Sequence, residues 1–251
     1  MLVVGASSGM GRASAIAMAR HGAKVVFAAR RRDALAQAVA EAGAGHTVQV
    51  DVNQPADIER AVAEAADHLG TIDAVFYTAG MSHLEPLRSM SAEQWQQVFA
   101  VNTFGPNLVI AAALPHLATD GVVAVVSSDS SSQPRHSLVP YGCAKAALEA
   151  SMEGWRTEES GGRRFITVVL GPTRPSNFSR DFAPEAFAAL IPHWNRQGFR
   201  TGFLATDDVG EYLALSFGFV LANPGFGFDN LLLRAPEPET PISDYGIGRE
   251  D

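Results

Sequence analysis

The stretch from residue 2 to residue 12, LVVGASSGMGR, constrains the fold more than any other part of this sequence. An apolar run that breaks into Gly5, Gly9 and Gly11, and then into a helical pattern, predicts a strand, a tight turn and a helix N-terminus. The glycines allow a close approach to a ligand, and the unpaired N–H groups of the first helical turn attract phosphate. We therefore predict a pyrophosphate site here. The alternative is a glycine-rich turn that only packs a helix onto a strand.

Strands and helices alternate along the rest of the chain. The apolar run 24–29 predicts a buried second strand, and further strands are predicted at 46–50, 71–77, 122–126, 165–170 and 228–233. Helices are predicted at 13–20, from Asp33 to about residue 42, at 56–69, from 91–93 to 113, from Pro140, and from Asp207 and Asp208 to about residue 221. This order indicates an α/β fold in which helices cover both faces of a parallel sheet.

The chain is interpreted as one domain over residues 1–235, followed by a tail at 236–251 that is rich in proline and acid. We expect the tail to be mobile or to contact a partner. The first strand has about four residues before its turn, so we expect the native start to lie upstream of Met1. Residues 174–204 are predicted to be an irregular segment. Its aromatic part, from Phe178 to Phe203, either closes over an apolar substrate or the nicotinamide, or forms a static hydrophobic cluster.

The net charge of −8 argues against nucleic acid and against an anionic membrane as partners. The single cysteine, Cys143, excludes an intramolecular disulfide, and no His/Cys pattern predicts a metal site. The longest apolar stretch, at 212–222, is too short to span a bilayer, and the N-terminus lacks the features of a signal peptide. These observations predict a cytoplasmic protein.

Tyr141 and Lys145 are the strongest candidates for chemistry, because residues four apart on a helix share one face. The chain has only two lysines, so this spacing rarely arises by chance. A nearby ammonium favours the phenolate form of a tyrosine. Cys143, between them, is interpreted as a small buried thiol rather than a reactive one. Asn102 is an amide on an apolar stretch of helix and is either a buried, satisfied amide or a functional group.

Arg30, Arg31 and Arg32 follow the second strand directly. In a doubly wound sheet the ribose of an adenosine is bound at this strand end, and a NAD site places an acid there. This chain has Ala29 and Arg30 instead, which suits a 2′-phosphate and predicts NADP(H), with contributions from Arg31 and Arg12. The alternative is a solvated start of a helix.

In these features the chain resembles the short-chain dehydrogenase/reductases. The landmarks Gly5-x-x-x-Gly9-x-Gly11, Asp51-Val52, Ala79-Gly80, Asn102, Ser128 and Tyr141-x-x-x-Lys145 occur in that family's order. The resemblance implies a Rossmann-type three-layer sandwich with a seven-stranded parallel sheet of order 3-2-1-4-5-6-7. It also implies cofactor contacts, which we expect from Gly5, Ser7, Ser8, Gly9, Met10, Gly11, Arg30, Arg31, Asp51, Val52, Ala79, Gly80, Tyr141, Lys145, Pro172 and Thr173. The chain departs from the family at Val4, at Tyr77-Thr78 and at Gly171-Pro172.

The resemblance implies an oxidoreductase that interconverts a carbonyl and a secondary alcohol on a small, apolar substrate, and that assembles as a homo-oligomer, a dimer or tetramer. By this resemblance Tyr141 is the acid/base, Lys145 lowers its pKa and holds the nicotinamide ribose, and Ser128 hydrogen-bonds the substrate oxygen. Asn102 supports a water relay behind the lysine; Ser127 and Ser130 are alternatives to Ser128. Two other functions remain open, namely a non-catalytic dinucleotide sensor or structural protein, and an epimerase or dehydratase that uses the same pair.

Overall fold

The computed structural model describes residues 1–159, 161–175, 178, 182–198 and 202–236. Its strands are β1 Leu2–Val4, β2 Val26–Ala29, β3 His46–Gln49, β4 Ile72–Tyr77, β5 Leu117–Ser128, β6 Arg164–Leu170, β7 Thr173–Arg174, β8 Leu204–Ala205 and β9 Asn230–Leu233. Its α-helices are α1 Gly9–Arg20, α2 Arg32–Ala42, α3 Pro55–Leu69, α4 Ala92–Phe99, α5 Gly105–Ala113, α6 Val139–Glu158, α7 Pro184–Arg196 and α8 Thr206–Ala222. The predicted tail lies, after Pro236, outside these residues.

Within the described residues, seven strands form one parallel sheet of order β3-β2-β1-β4-β5-β6-β9. This confirms the predicted order, because β9 is the strand expected as the seventh. The remaining two, β7 and β8, pair with each other in a small separate sheet. The short β1 is central and pairs with β2 on one side and with β4 on the other.

Helices cover both faces of the sheet, as predicted. Alternate residues of each strand point to opposite faces. Val3, Phe27 and Phe76 therefore pack with α1, α2 and α8 in one buried cluster. On the other face Leu2 and Val75 pack with α3, α5 and α6 in a second cluster. The strands read as continuous apolar runs because both of their faces are buried.

Several element boundaries differ from the prediction. α1 begins at Gly9 rather than at residue 13, so its first turn lies inside the glycine-rich stretch. Asp33 and Asp207-Asp208, at which the sequence predicts that helices begin, are not the N-cap residues, which are Arg31 and Ala205. The three aspartates lie instead in the first turns of α2 and α8, where a negative charge interacts favourably with the helix dipole.

The prediction of an irregular segment at 174–204 is wrong, because this part of the chain contains the helix α7. Pro184 opens the helix, where its missing N–H costs no hydrogen bond, and a second proline, Pro192, lies inside it. Leu190 and Trp194 are buried on one face of α7. Two prolines and many aromatic residues hid this helical pattern, and Phe199 lies outside the described residues.

One long apolar helix is formed by α4, a π-helical turn at Ala100–Phe104, α5 and a short 3-10 turn that ends at His116. Ser91 and Gln94 form a capping box at its start. By length and composition this 25-residue helix, rather than residues 212–222, is long and apolar enough to cross a membrane. Val98, Val109 and Ile110 are nevertheless buried against the rest of the fold, which makes it a core helix.

Candidate active site

The predicted site residues lie at one edge of the main sheet, because each group follows the carboxyl end of a parallel strand. The glycine-rich stretch follows β1, and Ala79-Gly80 follows β4, which pairs with β1 on its other side. The chain leaves β1 toward β2 and β3, and then continues on the opposite side with β4. Such a reversal in strand order creates the crevice in which open α/β sheets bind ligands.

The glycine-rich stretch fits the pyrophosphate of a dinucleotide. Gly5 and Gly9 have φ angles of +96° and +52°, in the left-handed region that favours glycine. A Cβ on Gly11 would lie 2.1 Å from Thr78 Oγ1 and 2.5 Å from the Gly5 carbonyl oxygen, so only glycine brings these segments together. Ser8, the N-cap of α1, makes no side-chain cap bond to the described first turn, which also lacks acidic residues. The first N–H groups of α1 are therefore suited to an anion.

The unusual Tyr77-Thr78 pair supports this crevice in the structure. The Thr78 hydroxyl donates a hydrogen bond of 2.9 Å to the Val4 carbonyl and so joins the end of β4 to the end of β1. The Tyr77 hydroxyl donates to the Val101 carbonyl at 2.7 Å, and burial raises the pKa of this phenol. Both departures from the family pattern therefore hold the crevice walls in place.

At the end of β2, Arg31 is the arginine that reaches the glycine-rich stretch. Its Nη2 donates to the Ser7 hydroxyl at 3.1 Å. The Arg30 carbonyl accepts a bond from Gln49, and Arg12 forms an ion pair with Glu41. Arg31 thus has the position that the sequence predicted first for Arg30.

Two further predicted groups are at this edge. Asp51 Oδ1 accepts hydrogen bonds of 3.0 Å and 2.9 Å from the backbone and side chain of Asn53, and Val52 is buried. Pro172 accepts a bond of 2.9 Å from the Leu204 backbone, and Thr173 pairs with Leu204 in the small sheet.

Ser128, Tyr141 and Lys145 come together at the end of β5. The Ser128 hydroxyl is near enough to the Tyr141 phenol to lower its pKa, and it donates a hydrogen bond of 3.3 Å to Asp129 Oδ1. Lys145 is 2% exposed, donates to the Val126 carbonyl at 2.7 Å, and has its Nζ 5.7 Å from the centroid of the Tyr141 ring. Ser127 is directed to Glu149 instead, and Ser130 donates its backbone N–H to Ser128 at 3.2 Å. Of the three candidate serines, Ser128 is thus the one on the phenol.

Burial has the largest effect on the pKa values of Tyr141 and Lys145. It raises the pKa of Tyr141 to about 12, against the lowering effects of the Ser128 hydrogen bond and of Arg135, while Asp129 raises it further. Burial also lowers the pKa of Lys145 to about 7, and Glu149 opposes this shift. The sequence led us to expect a lowered tyrosine pKa. The structure gives the opposite direction, because burial penalises the phenolate and the Asp129 carboxylate adds to this effect.

Asn102 lies in the π-helical turn and is fully buried. Its amide nitrogen donates to the Met81 and Val98 carbonyls, at 2.8 Å in each case, which fixes the orientation of the amide. Its Oδ1 accepts no hydrogen bond within the described parts of the chain. Asn102 is therefore a buried amide whose nitrogen is satisfied by two backbone carbonyls.

Two pairs at the site were not singled out in the sequence. Asp129 and Arg135 form an ion pair of 2.9 Å beside Ser128, and each side chain is only 11% exposed. The Ser127 hydroxyl donates to Glu149 at 2.5 Å. Glu149 could have been found, because it follows Lys145 by one helical turn; the contact of Asp129 with Arg135 depends on a loop that has no periodic pattern.

Aromatic side chains lie next to Tyr141. The Phe178 ring is 4.8 Å from the Tyr141 ring, and contacts continue through Phe182 and Phe187 to Trp194 on α7. The Trp194 indole donates a bond of 2.9 Å to the His136 carbonyl. The helix α7 is thereby attached to the loop that precedes the catalytic candidates.

Comparisons with known sequences agree with this geometry. A family model described as short chain dehydrogenase matches residues 1–184. An uncharacterized oxidoreductase of Listeria monocytogenes is 32% identical over 179 residues, which cover 68% of this chain and 72% of that protein. Versicolorin reductase of Emericella nidulans is 32% identical over 156 residues, which cover 59% of this chain and 58% of that protein.

Solved structures show the same fold. An alcohol dehydrogenase from Thermococcus sibiricus, complexed with 5-hydroxy-NADP, has a TM-score of 0.79 at 22% identity and covers 94% of this chain and 98% of its own. A short-chain dehydrogenase from Streptomyces avermitilis has a TM-score of 0.77 at 25% identity, with coverage of 93% and 87%.

Proposed function

Because the chain belongs to the short-chain dehydrogenase/reductase family of oxidoreductases, we propose that it interconverts a carbonyl and a secondary alcohol on a small, apolar substrate with NADP(H). The observation that carries the proposal is the buried Lys145, with its Nζ 5.7 Å from the centroid of the Tyr141 ring and with Ser128 beside the phenol. An assay of NADPH oxidation with a panel of apolar aldehydes and ketones tests the proposal.

The proposed roles follow from this arrangement. The nicotinamide, when bound, supplies or accepts the hydride. In reduction the Tyr141 hydroxyl gives its proton to the carbonyl oxygen, and in oxidation it takes the proton back. Ser128, beside the phenol, orients the substrate oxygen, and the Lys145 ammonium favours the phenolate that forms. We assign to Asn102 the support of a water relay behind the lysine, for which its Oδ1 accepts no hydrogen bond from the described residues.

The proposed preference for NADP(H) rests on the end of β2. Ala29 offers no carboxylate to a ribose hydroxyl, and Arg31, beside Ser7, offers a planar fork of donors that suits a phosphate. The pyrophosphate of the same cofactor would lie at the glycine-rich stretch, because the first turn of α1 begins there.

We further propose that the aromatic group of Phe178, Phe182, Phe187 and Trp194 closes over the bound substrate. Addition of NADPH together with an apolar carbonyl substrate is then expected to slow proteolysis within residues 176–201, because contacts with the ligands stabilise the closed arrangement. Limited proteolysis followed by mass spectrometry measures this. Equal cleavage rates with and without both ligands would indicate a static hydrophobic cluster.

We also propose a homo-oligomer, a dimer or tetramer, assembled through two exposed apolar surfaces. Phe104 and Leu108 lie on one surface, at the long central helix, while the other is formed by Tyr212, Leu215, Phe219, Phe226 and Leu232. Large exposed side chains that lie together on a surface mark an interaction site.

The double substitution Leu215→Glu and Phe219→Glu is expected to dissociate the oligomer at the surface of α8, because it places two carboxylates in an apolar interface. Light scattering at micromolar concentration measures the mass, and Gln37→Glu, at an exposed position of α2, is the control. A parent protein with the 26.6 kDa mass of a single chain would refute the oligomer.

A further inference from the structure

The buried ammonium of Lys145 needs compensation for its charge. Removal of an ammonium from water is costly unless an opposite charge or hydrogen bonds stabilise it. Lys145 is 2% exposed and donates to one carbonyl, that of Val126. This one hydrogen bond does not offset the effect of burial, because the pKa of Lys145 is lowered to about 7. A cation that acts on Tyr141 must nevertheless be protonated under working conditions.

Glu149 is placed to supply the compensating charge. It follows Lys145 by four residues on α6, so the two side chains share one face of the helix, about 6 Å apart along the axis. The position of its carboxylate is fixed, because the Ser127 hydroxyl donates to Oε1 at 2.5 Å and Ser127 is 1% exposed. Val126 and Ser127 are consecutive residues of β5. One strand end therefore holds both the ammonium and the carboxylate.

The direction of the strand explains why Ser127 reaches α6. Successive side chains of a strand point to opposite faces, and Val123 and Val125 pack on the face covered by α6. Ser127 points to that same face, whereas Ser128 donates to Asp129 and lies near the Tyr141 phenol. Tyr141, Lys145 and Glu149 lie on one face of α6. Ser128 lies near the Tyr141 end of this face, and Ser127 contacts the Glu149 end.

We propose that Glu149, held by Ser127, is the counterion of Lys145 and positions a charged ammonium beside Tyr141. Glu149 acts through Lys145 and is therefore a positioning residue. The inference rests on the proposed function only where it concerns turnover, because the charge of Lys145 is measurable without any substrate.

The other groups near Lys145 and Glu149 belong to elements that pack on α6. Asn102 and Thr103, from the π-helical turn, and Ser127, from β5, are neutral. Asp129 and Arg135, from the loop after β5, affect the Tyr141 pKa in opposite directions. Among the described residues, Glu149 is the charged group that raises the pKa of Lys145.

A titration followed by NMR tests the inference directly. The chain contains only Lys24 and Lys145, so protein labelled with ¹³C at lysine Cε gives two signals, and the exposed Lys24 is the internal reference. Glu149→Gln removes the charge and keeps an oxygen that can accept the Ser127 hydrogen bond. We expect the Lys145 signal to titrate about one pH unit or more lower in this variant than in the parent. Identical titration of Lys145 in both proteins would overturn the inference.

Two other variants complete the experiment. Ser127→Ala releases the carboxylate, and is expected to lower the Lys145 titration by a smaller amount; it provides the test if Glu149→Gln does not fold. Glu153→Gln is the control, because Glu153 lies one turn further on α6, has a 65% exposed side chain and pairs with Arg156. A shift of the Lys145 titration in Glu153→Gln as large as in Glu149→Gln would contradict a specific role for Glu149.

The pH profile of carbonyl reduction separates this inference from the proposed function. Loss of the Lys145 proton removes activity as pH rises, so the basic limb for Glu149→Gln is expected at lower pH than for the parent. An active parent with superimposable profiles for the two proteins would refute the role of Glu149 alone. Absence of turnover in the parent would refute the proposed function, and the NMR titration would still decide the charge of Lys145.

Discussion

Replacement of Tyr141 by phenylalanine is expected to reduce the turnover number by about 10²–10⁴-fold or more, which is the usual contribution of a general acid or base. Phenylalanine keeps the ring that packs against Phe178 and removes only the hydroxyl beside Ser128. Binding of NADPH is therefore expected to change little. Steady-state kinetics and a fluorescence titration with NADPH measure the two effects separately.

Tyr212→Phe is the matched control, because Tyr212 is 46% exposed on α8, away from Ser128 and Lys145. It should keep the turnover number of the parent. Turnover of Tyr141→Phe within a few-fold of the parent would contradict the assignment of Tyr141 as the acid/base.

The second large effect concerns the choice of cofactor. A charge-assisted hydrogen bond contributes about 1.5–3 kcal/mol, so one good contact with a 2′-phosphate gives a preference for NADP(H) on the order of 10- to 150-fold. The substitution Arg31→Ala is expected to remove most of this preference, because Arg31 lies beside Ser7. Arg30→Ala should have a smaller effect. Titrations with NADPH and NADH at the same salt concentration measure both.

A reversal of the preference is expected when Ala29→Asp is combined with Arg30→Ala and Arg31→Ala. The new carboxylate would accept a hydrogen bond from the free ribose hydroxyl and repel a phosphate. Arg32→Ala is the control, since Arg32 belongs to the same run but its Nε donates to Gln49 at 2.7 Å. Equal affinity of the parent for NADPH and NADH would show that the arginine run is only the solvated start of a helix.

The sheet could be predicted from the sequence because its strands are buried on both faces. Because of this burial, β2, β4, β5 and β6 are continuous apolar runs in the sequence. The glycine-rich stretch marks the turn between β1 and α1. The helix α7 could not be predicted, since Pro192 interrupts its pattern and its burial depends on Leu138, which is distant in the sequence.

The catalytic candidates were predictable to the extent that they share a local element. Tyr141 and Lys145 lie on one helix, so their spacing alone places them together. We prefer Ser128 to Ser127 and Ser130 because it is near the Tyr141 phenol, and Arg31 to Arg30 because it donates to Ser7; the sequence shows neither contact. The pKa of Tyr141 was predicted in the wrong direction, because the sequence shows a neighbouring lysine and not the burial that opposes its effect.

The most direct test of the central claim is an assay of the parent protein with NADPH and a panel of apolar aldehydes and ketones, followed by the nicotinamide absorbance. We expect oxidation of NADPH that depends on the carbonyl compound, with formation of one alcohol for each NADPH consumed, and loss of this reaction in Tyr141→Phe. Tight binding of NADPH without turnover of any carbonyl or alcohol would contradict the claim and would favour a dinucleotide sensor.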